Sequence, residues 1–368
     1  MTIDRVSLTH IRIPLVEPFR ISNGVVEEKD GIIVGVHADG LVGYGEASPM
    51  SGSFYSSDTP ESTWSDLRNM IVPRLLRNQP DGVKGVNDLL DQTGGNPFAR
   101  AGVETAFWDL EGQRTGVPLY RLLGSETDEV ECGLAVGIYP SLQEMLRAVE
   151  RHLCEGYTRL KIKIQPGWDI EPLRAVRERF GEIPLMVDAN CAYTAADLEH
   201  LKRLDEFRLM MVEQPLPKGD LEGHARLQSA LTTPLCLDES ATDLATVSRA
   251  IAMKSCKIVN IKIQRVGGLQ AARGIHDLCR AHGVPVWGGT MPELGIGSAQ
   301  TVHLSTLPNF LYPTDVQSSL RWFVDDCIEP LLEARAGRIR IPGGVGNCYR
   351  LDTTKVSRYL VRREEFAA

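Results

Sequence analysis

The sequence predicts an α/β fold whose larger part is a closed parallel barrel, with a smaller α+β domain in front of it. Three observations carry this reading. The chain has 368 residues, more than a single compact domain usually holds. From about residue 129 short apolar runs alternate with amphipathic helical stretches, the signature of a parallel sheet covered by helices. The glycine-rich GxGxxG turn of an open dinucleotide-binding sheet is absent after the first of these runs, which favours a closed barrel over a doubly wound sheet.

Taken in order, Ile3–Leu15 alternates roughly, Gly31–His37 is an apolar run, and Leu41–Glu46 resumes as a strand after Ala38-Asp39-Gly40. That is a β-meander with an Asp-Gly hairpin signal. Helical patterns follow, the clearest being Phe98–Arg114, closed by Gly116 and Pro118. The barrel strands read ECGLAVGI, RLKIKI, PLMVDAN, RLMMVEQP, PLCLDES, KIVNIKIQ, PVWGGTM and NFLYPTD, with helices such as Ile170–Phe180 and Leu269–His282 between them. The rhythm stops after Asp315. The expected division is a capping domain at 1–125, a barrel at 126–318, and a segment at 319–368 that packs back on the cap.

Composition excludes more than it proposes. Hydrophobic residues make up 43% and charged residues 24%, so the chain can bury a core and disorder is not expected. Lysine and arginine total 40 against 48 acidic residues, a net charge of −8, and no basic block occurs; neither nucleic acid nor an anionic membrane is an expected partner. The eight cysteines, at 132, 154, 191, 236, 256, 279, 327 and 348, form no CxxC pair and read as free thiols in a reducing compartment. With no secretory-type start and no apolar run of about 18–20 residues, a cytoplasmic location is expected.

The chemistry lies at the strand ends. Lys161-Ile-Lys163, Asp188-Ala-Asn190, Glu213-Gln214-Pro215, Asp238-Glu239-Ser240 and Asn260-Ile-Lys262 close successive strands. The steps from Lys163 through Asp188, Glu213 and Asp238 to Lys262 are 25, 25, 25 and 24 residues. One ionisable residue therefore recurs per βα unit at the C-terminal rim, where barrel active sites lie. Residues two apart share a face, so Lys161 with Lys163 and Asp188 with Asn190 point the same way. Three carboxylates from neighbouring strands need a cation between them. All-oxygen donors select Mg²⁺ first and Mn²⁺ second, and do not suit zinc. Lys163 and Lys262 flank the trio. A lysine acts as a base near neutral pH when positive neighbours or desolvation lower its pKa, and Lys161, the metal and Arg265 are sources of that charge. Metal and bases together suit removal of a proton α to a carboxylate, through an enediolate, and two bases on opposite faces suit racemisation or epimerisation.

Taken singly, these residues have plainer readings. Asp188, Asn190 and Asp238-Glu239-Ser240 suit helix N-caps, and Glu213 suits a loop partner for an arginine. Five strands ending in ionisable residues at one register is a poor product of capping alone. His37, His152, His200, His224 and His276 are expected at the surface or on helices, and nothing groups them into a ligand set. Phe54-Tyr55 and Arg321-Trp322 suit either pocket lining or packing.

The segments GYGEAS, FYSSD, LKIKIQPGWD, VDAN, EQPL, LDES, VNIK with RVGGL, GG…GIG and PTD…RW together resemble the enolase superfamily. The resemblance is to its muconate-lactonizing branch, and within it to the o-succinylbenzoate synthase / N-succinylamino acid racemase group, over essentially the whole chain. It implies a modified TIM barrel, (β/α)7β, with Asp188, Glu213 and Asp238 holding Mg²⁺ and Lys163 and Lys262 as the acid/base pair. It also implies that the loops at Phe19–Gly24 and Ser48–Ser57 close over the barrel. Around the substrate, a small carboxylate, the expected residues are Lys161, Asn190, Glu239 and Arg265. Phe19, Tyr55, Ala135, Met291, Pro292, Glu293 and Trp322 are expected to shape its pocket. Relatives commonly form dimers or octamers.

Three departures stand out. Ile263-Gln264-Arg265 follows Lys262 where relatives usually read NIKP. Thr290-Met291-Pro292-Glu293-Leu294 replaces a usual GGMLE followed by Ser or Thr, and Ala135 replaces a usual Ser. All lie where the acyl or side-chain part of a substrate meets the wall, so they bear on substrate rather than on reaction class. The leading expectation is an N-acylamino acid racemase, notably of N-succinyl substrates. A syn-dehydration giving o-succinylbenzoate, with Lys163 as sole base, is the close alternative, alone or in the same protein. Dipeptide epimerisation and cycloisomerisation follow. A Schiff-base aldolase gives no reason for three converging carboxylates, and a catalytically dead binding protein gives none for usable side chains at all five positions.

Overall fold

The computed structural model describes residues 1–52 and 55–368. Phe54 lies outside the described residues. The chain opens with an antiparallel meander of β1 (Ile3–Ile21), β2 (Gly24–Ala38) and β3 (Leu41–Ala47). Asp39 and Gly40 both have positive φ, 51° and 79°, as the tight hairpin turn between twisted strands requires. β1 and β2 run well beyond the segments legible in the sequence. Their pairing breaks register between Pro14 and Phe19, which removes the clean alternation that marks a strand. This outer half of the hairpin carries Phe19 towards the barrel: Ile138 N donates to Arg20 O at 2.9 Å.

A last strand, β11 (Leu360–Ala367), pairs antiparallel with the outer edge of β1. On one face of this four-stranded sheet lies the helix Pro97–Thr115, ended by Gly116 in the left-handed region (φ 70°). Val34, Val36, Leu67 and Leu75 are buried together with Val103 and Phe107 of this helix. The helix approaches β3 at Gly43 and Gly45. A Cβ at Gly45 would overlap the Gly102 carbonyl oxygen and stand 2.5 Å from Thr105 Oγ1 and 2.6 Å from Ala106 N. Because those atoms belong largely to helix backbone, Gly45→Ala is expected to cost about 3 kcal/mol. Chemical denaturation measures this, and an unchanged midpoint would refute the close approach.

The barrel strands are β4 (Leu134–Val136), β5 (Leu160–Lys163), β6 (Leu185–Asp188), β7 (Val212–Glu213), β8 (Leu235–Leu237), β9 (Ile258–Ile261) and β10 (Val286–Gly288). They lie in sequence order in one parallel sheet. The eighth expected strand is not one. NFLYPTD makes only isolated parallel bridges, Phe310 to Val286 and Thr314 to Cys132, yet these join the two edges and close the ring. Pro313 within it, and Pro308 just before, lack the amide that a ladder needs. The first expected strand also divides. Glu129–Glu131 joins a small antiparallel sheet with Ala334–Arg335 and Arg338–Arg340, and only Leu134–Val136 enters the barrel. Between β6 and β7 the covering helix is broken into Leu198–Leu201 and a 3₁₀ stretch, Lys202–Phe207.

Inside the ring, period-two alternation stacks two layers. Met186, Met211, Cys236, Ile258 and Trp287 form a buried apolar plug. Two residues further along four of the same strands come Asp188, Glu213, Asp238 and Asn260. The polar layer thus sits directly on the apolar one. Among the described residues, no helix is long and apolar enough to cross a membrane.

Candidate active site

Neighbouring strands hold the ionic residues at one level. Lys163 pairs in register with Asp188, and Asp188 with Glu213. β5 and β9 are four positions apart in an eight-membered ring, so Lys163 and Lys262 face each other across it. Just past the strand ends the backbone enters the left-handed region at Asn190 (φ 43°), Cys191 (65°) and Gln214 (38°). Non-glycine residues there are uncommon and cluster at functional sites.

The side chains interlock. Lys163 Nζ donates to Asp188 Oδ2 at 2.6 Å and to Asn190 Oδ1 at 2.8 Å. Lys161 Nζ lies 2.6 Å from Asp315 Oδ2, 3.1 Å from Glu213 Oε2 and 3.3 Å from Asp188 Oδ2. Lys262 Nζ donates to Asp238 Oδ2 at 2.9 Å and to the Tyr55 hydroxyl at 3.1 Å. Arg265 grips the Asp238 carboxylate and donates to the Asp238 carbonyl at 2.9 Å. Its other amino group reaches the Tyr55 hydroxyl. Asn190 Nδ2 donates to Glu239 Oε1 at 2.9 Å.

Burial and neighbours set the charges. Glu213 is pushed up to about 8 by burial and by Asp188 and Asp238. Glu239 rises to about 7 for the same kind of reason. Burial also opposes ionisation of Asp188, but Lys163 and Lys161 hold it below its usual range. Asp238 is held far lower still, because Arg265, Lys262 and Lys161 outweigh its burial. Lys161 is charged throughout: burial works against it, and Asp315, Glu213 and Asp188 overcome that.

Among the described residues no three acidic, histidine or cysteine side chains form a ready metal cage; the ammonium groups of Lys161, Lys163 and Lys262 hold the carboxylate oxygens instead. The donor chemistry nevertheless fits a hard divalent cation. Asp188, Glu213 and Asp238 offer carboxylate oxygen alone, from adjacent strands, with a further buried carboxylate oxygen, Glu239 Oε2, lacking a hydrogen-bond partner among the described residues. None of the histidines joins them: His200, for one, bonds Asp169 at 2.7 Å, and His224 bonds the Asp220 carbonyl.

Other candidates fall at different distances from this centre. Tyr55, Glu239, Arg265 and Met291 line a cavity of about 710 Å³ with Lys218 and Arg100. Ala135 sits in β4 beside Lys161. Phe19 and Trp322 pack edge to face, 4.8 Å between ring centres, and a Cβ at Gly137, past the end of β4, would stand 3.3 Å from the Phe19 ring. Pro292 is half-buried beside Met291. Glu293 is buried, and Lys29 and Lys262 are the positive charges that act on it.

Several supporting residues carry roles that the sequence alone did not assign. Asn260 Nδ2 donates to Glu213 Oε1 at 2.7 Å, and its place two residues before Lys262 was the available signal. Gln214 accepts from Asp238 N at 3.0 Å and Ser240 N at 3.1 Å, steadying the next strand end. Cap and barrel are joined by a buried clamp. Gln264 accepts from Ser48 N at 2.9 Å and donates to Glu46 O at 2.8 Å. Glu46 accepts from Leu294 N and Gly297 N, both at 2.8 Å, at the N-terminus of helix Gly295–Ser305. Lys29 gathers the carbonyls of Ser48, Pro49 and Met291.

Comparison with known proteins agrees with this architecture. Residues 4–124 match the mandelate racemase / muconate lactonizing enzyme N-terminal domain, and residues 144–355 match the enolase C-terminal domain-like family. An o-succinylbenzoate synthase of Geobacillus kaustophilus is 43% identical over 98% of this chain and 96% of its own. An N-succinylamino acid racemase of Thermus thermophilus is 41% identical over 94% of each. A solved enolase-superfamily structure from Listeria innocua superposes with a TM-score of 0.95 at 32% identity, covering 100% of this chain and 99% of that one. The chain belongs to the muconate-lactonizing branch of the enolase superfamily of enzymes.

Proposed function

We propose that the protein racemises N-acylamino acids, foremost N-succinylamino acids, by moving the proton α to the carboxylate between Lys163 and Lys262. The observation that carries this reading is the pair of buried lysines on opposite sides of the ring, each anchored to a different carboxylate. Asp188, Glu213 and Asp238 would hold Mg²⁺, with Mn²⁺ as a substitute. When bound, the cation supplies charge stabilisation for the substrate carboxylate as it gains negative charge.

The neutral amine of one lysine takes the Cα proton from its face, and the ammonium of the other returns a proton from the opposite face. Asp188 and Asp238 are held ionised by the lysines and Arg265 around them, whereas Glu213 and Glu239 are pushed up to about 8 and about 7 by burial and by those same aspartates. A bound divalent cation would draw Glu213 into its ionised form and offer the substrate carboxylate a positive partner.

A second reading is favoured by the 43% identical relative named o-succinylbenzoate synthase. In that dehydration Lys163 alone would move the proton, and Lys262 would stabilise charge. Assaying N-succinylamino acids, dipeptides and the cyclohexadiene precursor side by side separates the readings. The expected result is racemisation of the succinyl substrates that EDTA removes and Mg²⁺ restores. Dehydration without racemisation, or activity that survives chelation, would overturn it.

A further inference from the structure

Asp315 ends the bridging segment that closes the barrel, and the proposed proton transfer does not use it. It is buried and sits at the middle of a ladder. Its Oδ1 accepts from Arg159 Nη1 at 2.9 Å, and its Oδ2 lies 2.6 Å from Lys161 Nζ. Arg159 is fixed from several sides. Its Nη2 donates to the carbonyls of Pro313 at 2.7 Å and Thr314 at 3.2 Å. The guanidinium lies 5.2 Å from the centre of the Trp287 ring. Gly133 leaves the room it occupies, since a Cβ there would overlap it. Lys161, 4.9 Å above the same ring, is therefore offered a rigidly held anion nearer than either Glu213 or Asp188.

We propose that Asp315 is a positioning residue that shares the Lys161 ammonium with Asp188 and Glu213, limits its hold on them, and thereby sets how tightly those carboxylates bind a divalent cation. The inference rests on the reading of Asp188, Glu213 and Asp238 as metal ligands. An ammonium hydrogen-bonded to a carboxylate competes with a metal for the same lone pairs. With Asp315 neutralised, Lys161 keeps Glu213 and Asp188 as ion-pair partners and settles on them. The effect is thus transmitted through Lys161, which separates it from a general loss of negative charge.

The test is Mn²⁺ binding to the full-length protein, freed of metal by chelation and dialysis, followed by the EPR signal of free Mn²⁺. Asp315→Asn is expected to weaken binding at least tenfold. In a Lys161→Met background the same change is expected to move affinity by less than twofold. Asp315→Asn leaves Arg159 buried without its anion, so Arg159→Met/Asp315→Asn is measured in parallel and is expected to show the same weakening. Wild-type affinity in Asp315→Asn, or a tenfold loss that persists in the Lys161→Met background, would overturn the inference. A wild-type protein that binds no Mn²⁺ would overturn the metal reading itself.

Discussion

Lys262→Ala is expected to abolish exchange of the Cα proton for deuterium in one enantiomer of the substrate while sparing exchange in the other. Racemisation needs both faces and should fall by a factor of about 10²–10⁴, the usual contribution of a positioned acid or base. The asymmetry follows from the ring. Lys163 keeps its bonds to Asp188 and Asn190, at the end of the neighbouring strand β6, when Lys262 is shortened. The fold should survive, because Asp238 keeps Arg265 as its counter-charge. Deuterium incorporation into each enantiomer, followed by NMR, is the measurement. Loss of exchange in both enantiomers, or in neither, would sink the assignment of one lysine to each face. The Lys163→Ala protein should show the mirror pattern.

Much of this architecture was legible because it is local. The 25-residue beat follows from one strand, one helix and two turns per unit, and strand alternation places Lys163, Asp188, Glu213 and Asp238 on the inner face without any knowledge of the fold. The Asp39-Gly40 turn and the helix Ile170–Phe180 are likewise written in adjacent residues. What failed depends on partners far away in sequence. Arg159 and Asp315 are 156 residues apart, and Gln264 meets Ser48 across 216; neither separation leaves a pattern. The outer half of the first hairpin was missed because its strands pair irregularly beyond Pro14. The bridging segment read as a strand because its apolar residues resemble one, although proline denies it a ladder. Glu293, expected at the pocket on family likeness, is buried, with Lys29 and Lys262 as the positive charges that act on it.

Asp238→Asn is expected to be the most damaging single change at the site, and for reasons that separate it from a simple loss of a ligand. Asp238 is fully buried and carries both Lys262 and Arg265. Its pKa lies far below the usual carboxylate range, because Arg265, Lys262 and Lys161 outweigh its burial. An amide cannot neutralise the two cations, which then share the Tyr55 hydroxyl with no anion between them. Breaking a buried pair in this way costs about 3–5 kcal/mol. A carboxylate with a depressed folded-state pKa stabilises the fold above its unfolded value of about 3.9 and loses that contribution as pH falls towards its folded value. The melting-temperature gap between wild type and Asp238→Asn should therefore be full at pH 7 and narrow as pH drops below about 4. Mn²⁺ binding at pH 7 should fall with it, since one of the three proposed oxygen donors has lost its charge. A variant that melts and binds Mn²⁺ like wild type at pH 7 would show that Asp238 neither balances Lys262 and Arg265 nor contributes to the metal site.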